Sequence, residues 1–196
     1  MLDHSIIGII AGIVAFAANP PYIWAILKGE TKPDRVTWWI LAGLNMLIFA
    51  SSYSLGAWDT LWLPLGFVIS FSIVAVLSLK YGEGDFRLTM LQKVCVLGAV
   101  AGAATWWISG SALLALVFTI VIDFLGIVPT IYKAYLRPWH ENKLAWGIAL
   151  VASVFYILAV DEWSLAIAAY PVYVLVTNTI LALLIIPPRR TQIQQA

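Results

Sequence analysis

One acidic residue, Asp123, stands in a run of 39 residues from Val94 to Tyr132 that carries no other charge. A carboxylate at the centre of a membrane helix costs about 2.5–3.5 kcal/mol on insertion scales, so it must face a polar cavity, find a partner or stay protonated. A group that takes up and gives back a proton there suits proton coupling. The plainer reading is a neutral acid hydrogen-bonded to a neighbouring helix. Three amides, Asn19, Asn45 and Asn178, are embedded in apolar surroundings, the last two near the expected depth of Asp123. Side-chain amides offer donors and acceptors, which suits a hydroxyl-rich or zwitterionic solute. Against that stands simple interhelical hydrogen bonding. The candidate substrate-binding set is Asn45, Asn178, Asp123, Trp38, Trp146, Ser72 and Tyr173, with Tyr22, Tyr132 and Ser153 as further candidates for the lining.

A second constellation is backbone chemistry. Proline in a membrane helix removes a donor and frees a carbonyl, so the helix bends. NPPYIWAILKGETKPDRVTWWI from Asn19 returns as VPTIYKAYLRPWHENKLAWGI from Val128, with Pro21 on Pro129, Ile23 on Ile131, Trp38 on Trp146 and Ile40 on Ile148. Pro20, Pro21 and Pro129 are candidate hinges; the alternative is a static kink. Trp38 and Trp146, at equivalent starts of two spans, serve either an inner gate or interfacial anchoring. Asp123 falls on Ala15 in this register, so any role it has breaks the repeat.

The elements that must position these groups follow from composition. The chain is 62% hydrophobic and 11% charged, and several stretches reach the roughly 20 apolar residues a bilayer crossing needs. The expected class is an all-α integral membrane protein with seven spans. These are Ser5–Leu27, Val36–Leu55, Leu61–Leu79, Lys93–Ile108, Ser111–Tyr135, Lys143–Val160 and Trp163–Ile186. The fourth and fifth form one long run, but at about 1.5 Å per residue a single helix would be about twice the bilayer core, so Ser109-Gly110-Ser111 is the expected turn. The first span lacks a basic n-region, so it reads as a retained helix rather than a signal peptide.

All eleven basic residues fall in or beside alternate loops, while Asp59, Asp161 and Glu162 occupy the others. The positive-inside rule then puts the N-terminus outside and the C-terminus in the cytoplasm. The repeat offset divides the chain into a first triple-helix bundle (1–80), a connecting loop and linker helix (81–110), a second triple-helix bundle (111–190) and a tail (191–196). That is a parallel 3+1+3 repeat. Gly8/Gly12 and Gly98/Gly102 have the spacing of close helix contacts. Trp58, Trp62, Trp106, Trp107 and Trp163 at the outer edge and Trp139 in an inner loop read as interfacial anchors.

No P-loop, dinucleotide glycine motif or HExxH is present, and the histidines, His4 and His140, sit in terminal or loop positions. Cys95, alone in an apolar run, forms neither disulfide nor cysteine metal site. Neither an enzyme, a bound cofactor or metal, nor a nucleic-acid partner is expected. The partners are a small polar solute, the lipid bilayer and, if transport is coupled, protons; a homo-oligomer is compatible with the sequence.

These features together resemble the SWEET and PQ-loop superfamily of seven-helix membrane transporters, over essentially the whole chain. The resemblance rests on the late prolines of spans one and five and on KGETKPDRVTWW, which is similar to that family's basic, threonine-containing loop. It implies alternating access to a central site between two triple-helix bundles, in a plasma membrane or the inner membrane of a bacterium. The solute would be a sugar, an amino acid or a similar metabolite. Tyr22 and Thr130 replace the family's glutamine after the proline, spans two and six lack the proline tetrad's remaining members, and Leu65 and Val172 stand where sugar carriers have asparagine. Asp123-Phe124 with Gly126 resembles the DFxGG segment of lysosomal cystine and cationic amino acid carriers, which implies a proton-coupling role for Asp123. The same fold also serves non-transporting receptors, as in the related KDEL receptors, so a receptor or assembly factor is the alternative class.

Overall fold

The computed structural model describes residues 3–30, 32–83, 87–136, 138 and 143–186, without the side chains of Pro129 and Lys133. Arg137, Trp139, His140, Arg189, Arg190 and the tail 191–196 lie outside the described residues. The described chain is helical: α1 (His4–Ala17), α2 (Pro20–Leu27), α3 (Arg35–Ser54), α4 (Trp62–Tyr81), α5 (Met90–Ser109), α6 (Ala112–Leu136), α7 (Lys143–Leu158) and α8 (Leu165–Ile185). A 3-10 turn, Trp58–Thr60, precedes α4. Taking α1 and α2 as one span, six helices are long and apolar enough to cross a membrane; the seventh, α7, has 16 residues. The sixth expected span ran on to Val160. It ends earlier because Val160 donates to Ile157, a tighter bond that closes the helix.

Local chemistry sets the helix ends. Asp34 caps α3 by accepting from the Thr37 amide at 2.8 Å, and Ser164 caps α8 through the Ile167 amide. Thr89 and Gln92 form a reciprocal capping box, which carries α5 back to Met90, three residues before its expected start. The expected turn between the fourth and fifth spans is present. Gly110 ends α5 with φ 68°, a left-handed conformation that glycine adopts without steric cost.

The two copies of the proline motif differ. Before Pro20 and Pro21 the helix stops at Ala17 and restarts at Pro20, whereas α6 runs unbroken from Ala112 to Leu136 through residue 129. Two consecutive prolines remove two donors; one removes a single donor, which a helix absorbs more easily. The Asn19 amide also turns back to the Ala15 carbonyl at 3.2 Å, satisfying an acceptor that the break exposes. The first copy is thus interrupted before its prolines, and the second is continuous through its single proline.

Helix packing follows the same order among α1, α3 and α4, the first three long helices, as among α6, α7 and α8, the last three. α4 lies between α1 and α3, and α8 lies between α6 and α7. The sets meet where α1 packs on α7 and α3 on α6, and α5 packs on α6 and α3. Glycines permit the closest approaches. A Cβ on Gly12 would lie 2.5 Å from the Trp62 carbonyl oxygen, and one on Gly98 would lie 2.7 Å from Ile122, so both glycine pairs sit at helix contacts.

Charge sorts the helix ends. Lys28, Arg35, Lys80, Lys93 and Lys143 gather at one end, the basic end, together with Glu30, Asp34 and Glu83, whereas the other, the acidic end, holds Asp59, Asp161 and Glu162 and no Lys or Arg among the described residues. The main core, with Ala11, Ile48, Leu63, Leu116, Tyr156 and Tyr170, draws on α1, α3, α4, α6, α7 and α8 and occupies the half toward the acidic end. Toward the basic end no such shared cluster is found among the described residues. One smaller cluster, around Ala134, Leu181 and Ile185, belongs to α6, α7 and α8; another, around Leu44, Cys95 and Ile122, joins α3, α5 and α6.

Candidate functional site

Beneath the main core lies a layer of polar side chains. Its anchor is Asp123 on α6, whose carboxylate accepts from the Tyr173 hydroxyl of α8 at 2.5 Å. This contact ties α6 to α8 near the middle of the two helices. Tyr173 stacks on Tyr170 with centroids 6.0 Å apart, and Tyr170 meets Tyr156 of α7 edge-on at 6.1 Å. Tyr156 and Tyr170 were not singled out from the sequence. The spacing of Tyr170 and Tyr173, three residues apart on one helix face, was the available signal.

Asn45 joins this layer from the other set of helices. Leu44 and Ile122 belong to one cluster, which puts their chain neighbours Asn45 and Asp123 at a common depth on packed helices. Asn45 is 2% exposed. Its amide N–H donates to the Leu41 carbonyl at 2.9 Å, and its oxygen is buried without a partner. Ser72 on α4 likewise holds a buried hydroxyl without a partner. Asn178 sits on α8 about a turn and a half beyond Tyr173 toward the basic end, and donates to the Ala149 carbonyl of α7 at 3.3 Å.

Other sequence candidates fall elsewhere. Trp38 belongs to an aromatic ladder within the first set of helices. It lies 5.2 Å from Tyr22 and 5.4 Å from Phe71, which stacks on Phe67 at 5.3 Å. Trp146 packs instead with Ala134, Leu181 and Ile185. The two tryptophans thus occupy equivalent places in the chain but separate clusters. In the repeat register Thr130 replaces Tyr22, and Asn178 and Thr179 fall where Phe71 stands, so the ladder has no second copy. Pro20 and Pro21 are exposed at the start of α2, and Pro129 is described only as a helical position of α6.

The acidic end is closed by contacts from the start of α1. Ser5 donates to the Asp59 carboxylate, and His4 lies 3.7 Å from the Asp161 carboxylate beyond α7. A recess of about 220 Å³ lies there, lined by Trp58, Asp59, Asp161 and Glu162 among others. An apolar groove of about 430 Å³ between α3 and α5 is lined by Trp39, Gly43, Val96 and neighbours and stands apart from the polar layer.

Chemically, the layer offers one carboxylate with its tyrosine donor, amide oxygens and hydroxyls. That equipment can recognise a polar solute or hold and release a proton. It contains no paired nucleophile and base. No protein-family model, curated protein or solved structure matches this chain.

Proposed function

We propose that this chain is a membrane carrier that moves a small polar solute by alternating access, on a 3+1+3 arrangement of two triple-helix bundles and a linker helix. The observation that carries this reading is the position of the polar layer. Asp123, Tyr173 and Asn45 lie at mid-membrane, where uncompensated polar groups are costly and mark solute or ion pathways. They sit directly under the core that α1, α3, α4, α6, α7 and α8 share toward the acidic end, while below it, among the described residues, α3 and α6 meet only in the smaller cluster around Leu44, Cys95 and Ile122. A carrier closed on one side and parting on the other has this distribution of contacts.

The helix order supports the two-bundle reading. The third helix of each set is central, and the sets meet through α1 with α7 and α3 with α6, as a pseudo-twofold relation requires. α5, little buried, takes the linker's place on the rim. By the positive-inside rule the basic end is cytoplasmic, so the described state is closed toward the outside. The break before Pro20 and Pro21 gives the first bundle a hinge, and Pro129 is its counterpart in the second. In this reading the chain is a divergent member of the SWEET and PQ-loop superfamily, and Asp123 binds the coupled proton.

Uptake into proteoliposomes from a panel of sugars, amino acids and vitamins, with and without a proton gradient, tests the proposal. Accumulation of one class by the wild type, with gradient dependence lost in Asp123→Asn, is the expected result. Absence of uptake across the panel by folded protein refutes the carrier, and gradient-driven uptake intact in Asp123→Asn refutes the coupling role.

A further inference from the structure

α5 is the least buried of the six long apolar helices, and its seam with α3 holds the groove of about 430 Å³. The floor is the cluster in which Ile40, Leu44 and Ala99 pack with Cys95 and Ile122. Trp39, Gly43 and Val100 line the groove as exposed residues. Gly43 keeps it open, since a Cβ there meets nothing within 4 Å. At the helix starts the seam is bridged instead. There the Gln92 amide of α5 donates to the Thr37 hydroxyl of α3 at 3.2 Å and to the Asp34 carboxylate at 3.4 Å.

Depth and charge identify what fits. On α3 the lining runs from Val36 to Leu44, about 12 Å of helix at about 1.5 Å per residue. On α5 it ends at Val100, so the groove starts near the basic end and stops at the middle of both helices. Half of a bilayer core is about 15 Å deep, so the groove belongs to one leaflet. A helix of a second copy is about 10–12 Å wide and would cross both leaflets; a single acyl chain matches the slot. The mouth is basic. Lys93 stands on the face of α5 that carries Val96 and Val100, at helical spacing, and Arg87 adjoins the lining residue Leu88. Both side chains are exposed, and neither has a partner among the described residues. Arg35 turns away to the Ser78 carbonyl of α4, and the Asp34 carboxylate is taken up by the Thr37 amide and Gln92. Glu83 is tied by backbone bonds to Pro33 and Arg35. Trp39, one turn inside α3, adds an indole N–H at the level where tryptophan favours the membrane interface.

We propose that this groove is a phospholipid site. One acyl chain, from the leaflet at the basic end, lies between α3 and α5 over Gly43, and an anionic headgroup meets Arg87 and Lys93. Basic residues beside membrane helices attract anionic lipids, and the apolar slot holds the chain that a free anion lacks. The proposal needs only helices that span a membrane, so it stands or falls apart from transport.

The purified full-length chain, stripped of lipid in neutral detergent, is titrated with phosphatidylglycerol and with phosphatidylcholine, both carrying the same brominated chains. Bromine quenches tryptophan fluorescence on contact, and Trp39 is the reporter in the groove. Phosphatidylglycerol should quench at concentrations about tenfold to thirtyfold lower, the worth of two basic residues beside an anionic headgroup. Trp39→Phe should remove the saturable part of the quenching. Gly43→Leu, whose side chain enters open space, should fill the slot and abolish that part too. Arg87→Gln with Lys93→Gln should level the two lipids, and this surface change decides if Gly43→Leu does not fold. Glycerol 3-phosphate, a headgroup without chains, should not compete. Equal affinity for both lipids in the wild type, a preference that survives the double change, or competition by glycerol 3-phosphate overturns the proposal. So does a wild-type dimer that Gly43→Leu dissociates, for then a second copy fills the groove.

Discussion

Replacing Gly12 with alanine tests the contact on which α1 and α4 close. The new Cβ would lie 2.5 Å from the Trp62 carbonyl oxygen, 2.8 Å from its carbon and 2.9 Å from its Cβ. Those are backbone atoms and a side-chain root, so no flexible tip can swing aside and the helices must part. Overpacking of this kind costs about 1–3 kcal/mol, and an unyielding neighbour places it at the upper limit. Helix propensity works the other way, since alanine gains up to about 1 kcal/mol over glycine. The net loss is about 2 kcal/mol. Gly43→Ala isolates the opposing effect, because a Cβ there meets nothing within 4 Å, and it should gain up to about 1 kcal/mol. The gap between the variants is thus about 3 kcal/mol, or roughly 6–12 °C in apparent Tm for a chain of this size. Thermal unfolding in detergent, followed by tryptophan fluorescence at one scan rate, reads it, and Trp62 lies at the contact itself. Should Gly12→Ala melt with Gly43→Ala, the packing of α1 on α4 described above is wrong.

Three further outcomes are expected. Thr89→Ala removes the capping box of α5 and should cost about 1 kcal/mol, a fall of about 2–4 °C in Tm; an unchanged melt would mean the cap does not hold α5. The double change Pro20→Ala and Pro21→Ala restores two backbone donors where α1 and α2 separate, so it should raise the melting temperature and slow uptake by about tenfold, the rate equivalent of a barrier higher by about 1.4 kcal/mol; undiminished uptake would remove the hinge. In a Cys95→Ala background, a cysteine at Asp59 should react with an impermeant reagent from the face opposite to one at Lys93. Labelling of both from one face would overturn the assignment of charges to opposite ends.

The sequence carried the framework because its signals are local and physical. A run too long for one helix, broken at Ser109-Gly110-Ser111, fixes a turn that needs a left-handed residue, and Gly110 supplies it. Loops with and without basic residues alternate and mark the helix ends wherever residues are described. Gly8/Gly12 and Gly98/Gly102 mark contacts because only a missing side chain lets helices approach that closely. The capping box at Thr89 and Gln92 was equally local but lay outside the apolar run used to place α5. What could not be read is whatever depends on a partner distant in the chain. The pairing of Asp123 with Tyr173 spans 50 residues, and no spacing rule forecasts which tyrosine meets the acid. The direction of each asparagine amide depends on which carbonyl its helix neighbours leave within reach.

The repeat misled where it invited symmetry, and the reason lies in the residues around each equivalent pair. Trp38 and Trp146 share a register, yet a tryptophan packs according to its neighbours. Tyr22 and Phe71 draw the first into a ladder, while the second packs, partly buried, against aliphatic residues of α6 and α8. The same logic separates the proline copies, since two successive lost donors open a helix that one does not. The helix order common to both sets needs only apolar faces and small residues, which the two halves share. The polar layer needs a particular acid, tyrosine and amide, and Asp123 has alanine as its counterpart. Under the proposed carrier reading, a symmetric frame with an asymmetric interior suits an asymmetric solute: the frame would supply two bodies able to rock, and the unequal interior would give the solute one preferred orientation between them.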